Sequence, residues 1–251
     1  MSVSVVNAVR NILSDSFWGF KLLCLTLPVF SIFHFDLLEK YKLNDFILIA
    51  IIFSTFYFGS AAFLMNKNIN NKTPILPSFF TIPSFVKSFV FGSLLSIPML
   101  TAYIYIIRFI AQNFNAEPIV MNIIYACVTI FLAPFMFIPM TLYSVRENFA
   151  DAFNLKIFYN AAGNFTVSFL AFIIQYFFII GIPWYIAYRI FYDMVTIDTC
   201  VHAVHSFFLV LSFFTFYSYC SDMYGEVIPR IKIKKNFGKN KLARGTDILD
   251  D

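Results

Sequence analysis

Six long runs of apolar residues, separated by short polar segments, dominate the chain. A bilayer core about 30 Å thick needs about 20 mostly apolar residues in a helix, and the runs are of that order. They are continuously apolar, whereas the strands of a membrane β-barrel alternate with a period of two. The pattern therefore predicts an all-α fold, a polytopic membrane helical bundle with six transmembrane helices, at about 17–35, 46–65, 85–107, 119–143, 165–188 and 203–224.

Prolines mark a repeat among these runs. The first run of each successive pair contains one partway along: Pro28, Pro98 and Pro183. Each proline removes a backbone donor and is expected to kink its helix. The repeat predicts three hairpins of two helices each.

Amphipathic segments precede the first and third hairpins. Before the third, Ser144 and Glu147 have the spacing of a capping box, which predicts that a helix begins there. Both segments are predicted to be cytoplasmic helices in the plane of the membrane surface. The approach to the middle hairpin is interrupted by three prolines and is predicted to be a loop. In the first segment one face is apolar, with Val5, Val6, Val9, Ile12 and Leu13, and the other is polar, with Asn7, Arg10, Asn11 and Ser14.

Composition supports the membrane assignment. Of the 251 residues, 60% are hydrophobic and 13% charged, against about 45–50% and about 25% in soluble proteins. So few charged side chains could not cover a water-facing surface of this size. The composition therefore excludes a disordered chain, a coiled coil and an ordinary soluble enzyme.

The distribution of basic residues predicts the orientation. Along a six-span path, 14 of the 18 Lys and Arg residues fall on the side that holds both termini. Because cytoplasmic loops are enriched in Lys and Arg, both termini are predicted to be cytoplasmic. No small-residue cleavage pattern follows the first run, which is therefore expected to be retained as a helix. The predicted organisation is one membrane domain, 1–226, followed by a basic cytoplasmic tail, 227–251.

Four short motifs occur in order along the chain: Ser14-Asp15-Ser16-Phe17-Trp18 with Lys21-Leu22-Leu23, Leu76-Pro77 followed by Phe85-Val86-Lys87, Phe149-Ala150-Asp151-Ala152-Phe153-Asn154, and Tyr224-Gly225-Glu226. In order and spacing they resemble an uncharacterised prokaryotic family of six-helix integral membrane proteins, known as a domain of unknown function. The resemblance implies a multi-pass fold in the prokaryotic cytoplasmic membrane. It implies no activity.

One cluster of residues has metal-binding chemistry. In a helix, Asp198, His202 and His205 would lie at i, i+4 and i+7 on one face, with a carboxylate and two imidazoles available to an ion such as zinc. Cys200 would point elsewhere. No fourth ligand and no HExxH spacing accompany them. The alternative is a polar cap at the outer end of the sixth run.

Two further groups of residues have structural interpretations. Ser88, Gly92 and Ser96 repeat at four-residue spacing, which favours close helix packing within the chain or between copies. Trp18 and Lys21 begin the first run and are predicted to anchor it at the cytoplasmic interface, with the lysine stem reaching the headgroups.

The tail is strongly basic next to the end of the last run. Such a segment attracts anionic lipid headgroups, although RNA or a protein partner could use the same charge. Lipid is favoured because the basic residues begin close to the membrane exit. The predicted contacts are Lys232, Lys234, Lys235, Lys239, Lys241 and Arg244.

Function is predicted by elimination. The sequence contains no nucleotide-phosphate loop, no GxSxG motif and no CxxC pair. The leading expectation is a non-catalytic membrane protein with a structural, scaffold or partner-recruiting role. It would need no cofactor and bind no nucleic acid, and its partners would be lipids, further copies of itself or another membrane protein. A passive transporter or channel for a lipid or small solute is the alternative, followed by a metal-dependent enzyme that uses the cluster at 198–205.

Overall fold

The computed structural model describes residues 4–35, 43–70, 75–77, 82–114, 117–146, 148–194 and 198–224. Within these ranges the regular elements are all helical. They comprise nine α-helices and one π-helical segment: α1 (Val5–Leu13), α2 (Trp18–His34), α3 (Leu43–Ile69), α4 (Ile82–Asn113), α5 (Pro118–Arg146), α6 (Phe149–Ala152), α7 (Leu155–Tyr176), the π segment (Phe177–Gly181), α8 (Ile182–Met194) and α9 (Asp198–Asp222).

The last helix, α9, is the centre of the assembly. It packs against α1, α2, α3, α5 and α8. It also runs antiparallel to α7, because Tyr219 donates to the Ser168 carbonyl at 3.0 Å while Tyr176 and Ser212 share a hydrogen bond at 2.8 Å. As residue numbers rise along α7, the residue numbers of the partners in α9 therefore fall.

Aromatic rings fill the space between α5, α7 and α9. The ring of Phe216 lies 4.3 Å from that of Phe137, 5.7 Å from Phe169 and 5.0 Å from Phe172, measured between centroids. Such edge-on arrangements contribute about 0.5–1.5 kcal/mol per pair beyond the buried area. Other phenylalanines, including Phe131 and Phe178, are exposed on the outer surface. The apolar character of the chain thus extends from the interior to the outside.

Long apolar helices place the protein in the membrane class. Ile119–Val145, Ala161–Tyr192 and Asp198–Asp222 are each long and apolar enough to cross a bilayer. The pair α1 and α2, bent by 102°, would add a fourth such unit if it acts as one broken span. The predicted all-α, membrane-embedded class is therefore supported at this level.

Two of the three predicted proline positions lie inside single helices, Pro28 in α2 and Pro98 in α4. At the third, the chain changes its helical pitch. The Ile182 N–H donates to the Phe177 carbonyl, five residues back, just before Pro183. Because proline has no N–H to donate, the ordinary hydrogen-bond ladder is disturbed at this point.

The prediction that a helix begins at Ser144 with a capping box is wrong. Ser144 lies inside α5, where its hydroxyl donates to the Met140 carbonyl at 2.7 Å. Because the hydroxyl donates to a carbonyl of the preceding turn, Ser144 fits inside a helix and does not have to cap the start of one. The short helix α6 is capped instead by Asn148, whose side chain accepts from the Ala150 N–H at 3.1 Å, and it has four residues. Glu147 lies outside the described residues.

Candidate functional site

A sharp break between α1 and α2 brings a buried carboxylate, Asp15, into contact with other parts of the chain. The chain turns at Phe17, whose φ of 58° and ψ of 29° lie in the left-handed region. This conformation is uncommon for a bulky residue and is costly. The turn exposes the Phe17 ring and directs Asp15 inward, where its side chain has no exposed surface.

Asp15 joins three parts of the chain. Its Oδ1 accepts from Lys21 Nζ at 2.8 Å, and the Lys21 side chain is itself only 11% exposed. Its Oδ2 accepts from the backbone N–H of the buried Leu76 at 2.5 Å. A buried carboxylate requires such partners, because an unpaired charge in this environment would be strongly destabilising. Asp15 therefore fastens the α1–α2 turn to α2 and to the segment at 75–77.

A second polar group joins α1, α3 and α9. Asn68 Nδ2 donates to Asp222 Oδ1 at 2.9 Å and also to the Ser221 hydroxyl. Asn11 Nδ2 lies 3.4 Å from Asn68 Oδ1 and 3.4 Å from both Asp222 carboxylate oxygens. The carboxylate at the end of α9 thus accepts from amides on two other helices.

The first turn of α1 is held on α7. The Val5 N–H donates to Gln175 Oε1 at 2.9 Å, which satisfies a donor that a helix start would otherwise leave unpaired. Val5, Ala8 and Ile12 are fully buried. We refer to Asn11, Asp15, Lys21, Asn68, Asp222 and Gln175 together as the α1 clamp.

The side chains of the α1 clamp hold α1 to other helices of the same chain. The carboxylates of Asp15 and Asp222 both accept hydrogen bonds from groups of the same chain. Charge-assisted hydrogen bonds of this kind are stronger than neutral ones. The clamp therefore fixes α1 across α9, between α7 and the end of α3.

The histidines gather at the opposite end of the bundle, on α2 and α9. The rings of His34 and His202 lie 6.3 Å apart between centroids, and His205 packs against Trp184 at 5.0 Å and Phe33 at 5.1 Å. The Nδ1 atom of His202 is buried and has no hydrogen-bond partner within the described structure. His34 was not part of the predicted cluster, because 168 residues separate it from His202.

The candidate metal ligands Asp198, His202 and His205 do not form a complete site among the described residues. Asp198 is exposed at the first residue of α9. Among the residues that the structure describes, no group of three or more His, Cys, Asp or Glu side chains is arranged to hold a metal ion. The ring contacts of His205 are those of a packed aromatic residue, two turns inside α9.

Of the predicted small-residue stripe Ser88, Gly92 and Ser96, the structure describes the surroundings of Gly92. A Cβ added to Gly92 on α4 would lie 2.7 Å from Ala62 Cβ on α3. A second close approach involves Gly59 on α3, whose added Cβ would overlap Phe89 of α4. The side chains of Ser88 and Ser96 lie outside the described ones.

The structure describes the predicted interfacial anchors, Trp18 and Lys21, but not the predicted lipid contacts of the tail. Trp18 is 37% exposed at the first residue of α2. The ammonium of Lys21 is paired with Asp15. The role of Trp18 and Lys21 as interfacial anchors stays a prediction. The boundary at 226 and the tail residues Lys232, Lys234, Lys235, Lys239, Lys241 and Arg244 lie outside the described residues.

The sequence pattern did not single out Asn68 or Asp222. Asn68 follows the run 46–65 and Asp222 lies at the end of the run 203–224, where polar residues are expected at the interface in any case. One sequence feature could have identified them. Each lies in the last turn of its helix, on the predicted cytoplasmic side of the membrane, where α1 is also predicted to lie.

No protein-family model, curated protein or solved structure matches the chain. The resemblance to the six-helix membrane family therefore stays an expectation.

Proposed function

We propose that the chain is an integral membrane protein with a non-catalytic, structural role, which acts as a scaffold or recruits a membrane partner. The observation that carries this proposal is the α1 clamp. Its polar side chains bond to other parts of the chain, so they hold helices together. Fixed helices with apolar outer surfaces suit a protein that presents a constant shape within the bilayer.

The proposed topology has six spans in three hairpins, with both termini in the cytoplasm of a prokaryotic cell. Interhelical contacts support it. Asn68 and Asp222 bring the ends of α3 and α9 together beside α1, while His34 and His202 bring the end of α2 to the start of α9. Alternating helix directions of this kind and the excess of basic residues on one side agree with an even number of spans. The tail would contact anionic lipid on the same side.

Reporter fusions and reconstitution test the proposal together. Reporters at the two termini should both show cytoplasmic activity. The purified protein, crosslinked in native membranes, should be recovered in a defined complex with itself or a specific partner, and vesicles that contain it should show no solute flux above protein-free vesicles. Reporters on opposite sides would refute the topology. A strictly monomeric protein with no crosslinked partner would refute the scaffold role.

A passive carrier is the second candidate, because the α1–α2 break resembles the discontinuous helices of transporters. In that case, protein-dependent flux should appear in vesicles. Asn68 contacts Asn11 of α1 beside the break, whereas Asn113 is the last residue of α4. Flux that changes in Asn68→Ala but not in Asn113→Ala would assign the pathway to the break.

A further inference from the structure

The outward face of α1 combines apolar side chains with one cation. Val6 is 48% and Leu13 40% exposed, and Arg10 is exposed between them. At helical spacing, positions 6, 9, 10 and 13 form a single stripe. Together with Ser14 they line a shallow groove of about 390 Å³.

The charge of Arg10 is available to a ligand. Arg10 forms no ion pair with any residue in the described part of the chain, in contrast to Lys21, which is paired with Asp15. The guanidinium group is planar, stays charged, and presents paired donors that match the oxygens of a phosphate. An apolar stripe around such a group fits an amphiphile whose head is anionic.

The stripe is fixed in place by the opposite face of α1. Val5 is held by Gln175, and Asn11 lies against Asn68 and Asp222. Because the helix is already ordered by these bonds, a ligand on the outer face would meet a preorganised surface.

We propose that Arg10, with Val6, Val9 and Leu13, forms a binding site for an anionic phospholipid. The phosphate contacts the guanidinium group and an acyl chain lies along the apolar stripe. This inference rests on the proposed function only in placing the chain in a bilayer. It adds a lipid class and a site outside the basic tail.

The two tryptophans provide a local probe. Trp18 begins α2, four residues after Ser14, whereas Trp184 packs on His205 at the other end of the bundle. A Trp184→Phe background keeps an aromatic ring beside the histidine and leaves Trp18 as the fluorophore. The protein is placed in phosphatidylcholine nanodiscs with a small fraction of brominated phosphatidylglycerol or brominated phosphatidylcholine, whose bromine atoms quench nearby tryptophan.

Brominated phosphatidylglycerol should quench Trp18 at lower mole fraction than brominated phosphatidylcholine. Arg10→Gln should reduce this preference about fivefold, which is the effect expected for one basic residue near an anionic surface. Arg10→Lys should retain most of the preference and controls for folding. Lys156→Gln, which removes another exposed charge, in the first turn of α7, should leave it unchanged.

Three results would overturn the site. Arg10→Gln could leave the lipid preference intact, Lys156→Gln could lower it equally, or wild-type Trp18 could be quenched equally by both lipids. The last result would refute the Arg10 site while leaving the protein in the bilayer. Failure of both brominated lipids to quench Trp18 in a protein that does not enter nanodiscs would instead refute the membrane assignment.

Discussion

Replacing Gly59 with alanine should force α3 and α4 apart. A Cβ at this position would overlap the backbone of Phe89 and lie 2.5 Å from its Cδ2 and 2.8 Å from its Cβ. Carbon atoms pack at about 3.5–4.0 Å. A side-chain rotation cannot relieve the overlap with the Phe89 backbone, so the two helices must separate by about 1 Å or more to reach that distance.

Gly163→Ala is the matched control. Gly163 also lies within a helix, and nothing comes within 4 Å of an added Cβ there. Both changes gain about 0.5–1 kcal/mol because alanine is the better helix former. Gly59→Ala alone carries the overpacking cost, so its free energy of unfolding should be lower than that of Gly163→Ala by about 1–3 kcal/mol.

Unfolding in mixed micelles, titrated with a denaturing detergent and followed by circular dichroism, measures the two variants against the wild type. Gly163→Ala should be at least as stable as the wild type and Gly59→Ala less stable than Gly163→Ala. Equal midpoints for the two variants would refute the close approach of α3 to α4.

Two further variants test the α1 clamp. Asp15→Asn should destabilise the protein by about 3–5 kcal/mol, since it leaves the mostly buried ammonium of Lys21 without its counter-charge. The double change with Lys21→Met should recover part of the loss. Additive losses in the same detergent titration would show that the two residues do not interact. Gln175→Leu should remove the acceptor for the first N–H of α1 at a cost of about 1 kcal/mol and accelerate amide hydrogen exchange in α1. Unchanged exchange there, compared with α9 as an internal reference, would contradict the role of Gln175.

The positions of the long helices follow from the sequence with little tertiary information. Each predicted run overlaps one described helix or, at 165–188, the α7–π–α8 series. A long apolar run that forms a helix satisfies its backbone hydrogen bonds internally. The helix ends were less predictable. Ser144 has the sequence context of a helix start, yet its hydroxyl bonds to the preceding turn within α5.

The faces of α1 show why periodicity alone was insufficient. The pattern grouped Val5, Val6 and Ile12 on one apolar face, but Val5 and Ile12 are buried while Val6 is exposed. Asn11, assigned to the polar outer face, lies instead against Asp222. Periodicity identifies an amphipathic helix, whereas the partner that covers it depends on residues more than 200 positions away.

The site residues depend on contacts that are remote in sequence or created by a turn. Lys21 had the expected position for a headgroup anchor. Its pairing with Asp15 depends on the left-handed conformation at Phe17, for which the sequence has no glycine signal. The approach of His34 to His202 likewise requires the antiparallel packing of α2 and α9, which no local pattern specifies.

The π segment at Phe177–Gly181 lies between α7 and α8 and changes the direction in which the side chains of α8 point relative to those of α7. An α-helix turns by about 100° per residue, so one additional residue in a turn rotates the downstream stripe by roughly that angle. The outward-facing positions of α7 and α8 therefore belong to two separate periodic series. Scanning substitutions from 155 to 194 should show tolerance with a helical period on each side of the segment and a discontinuity across it.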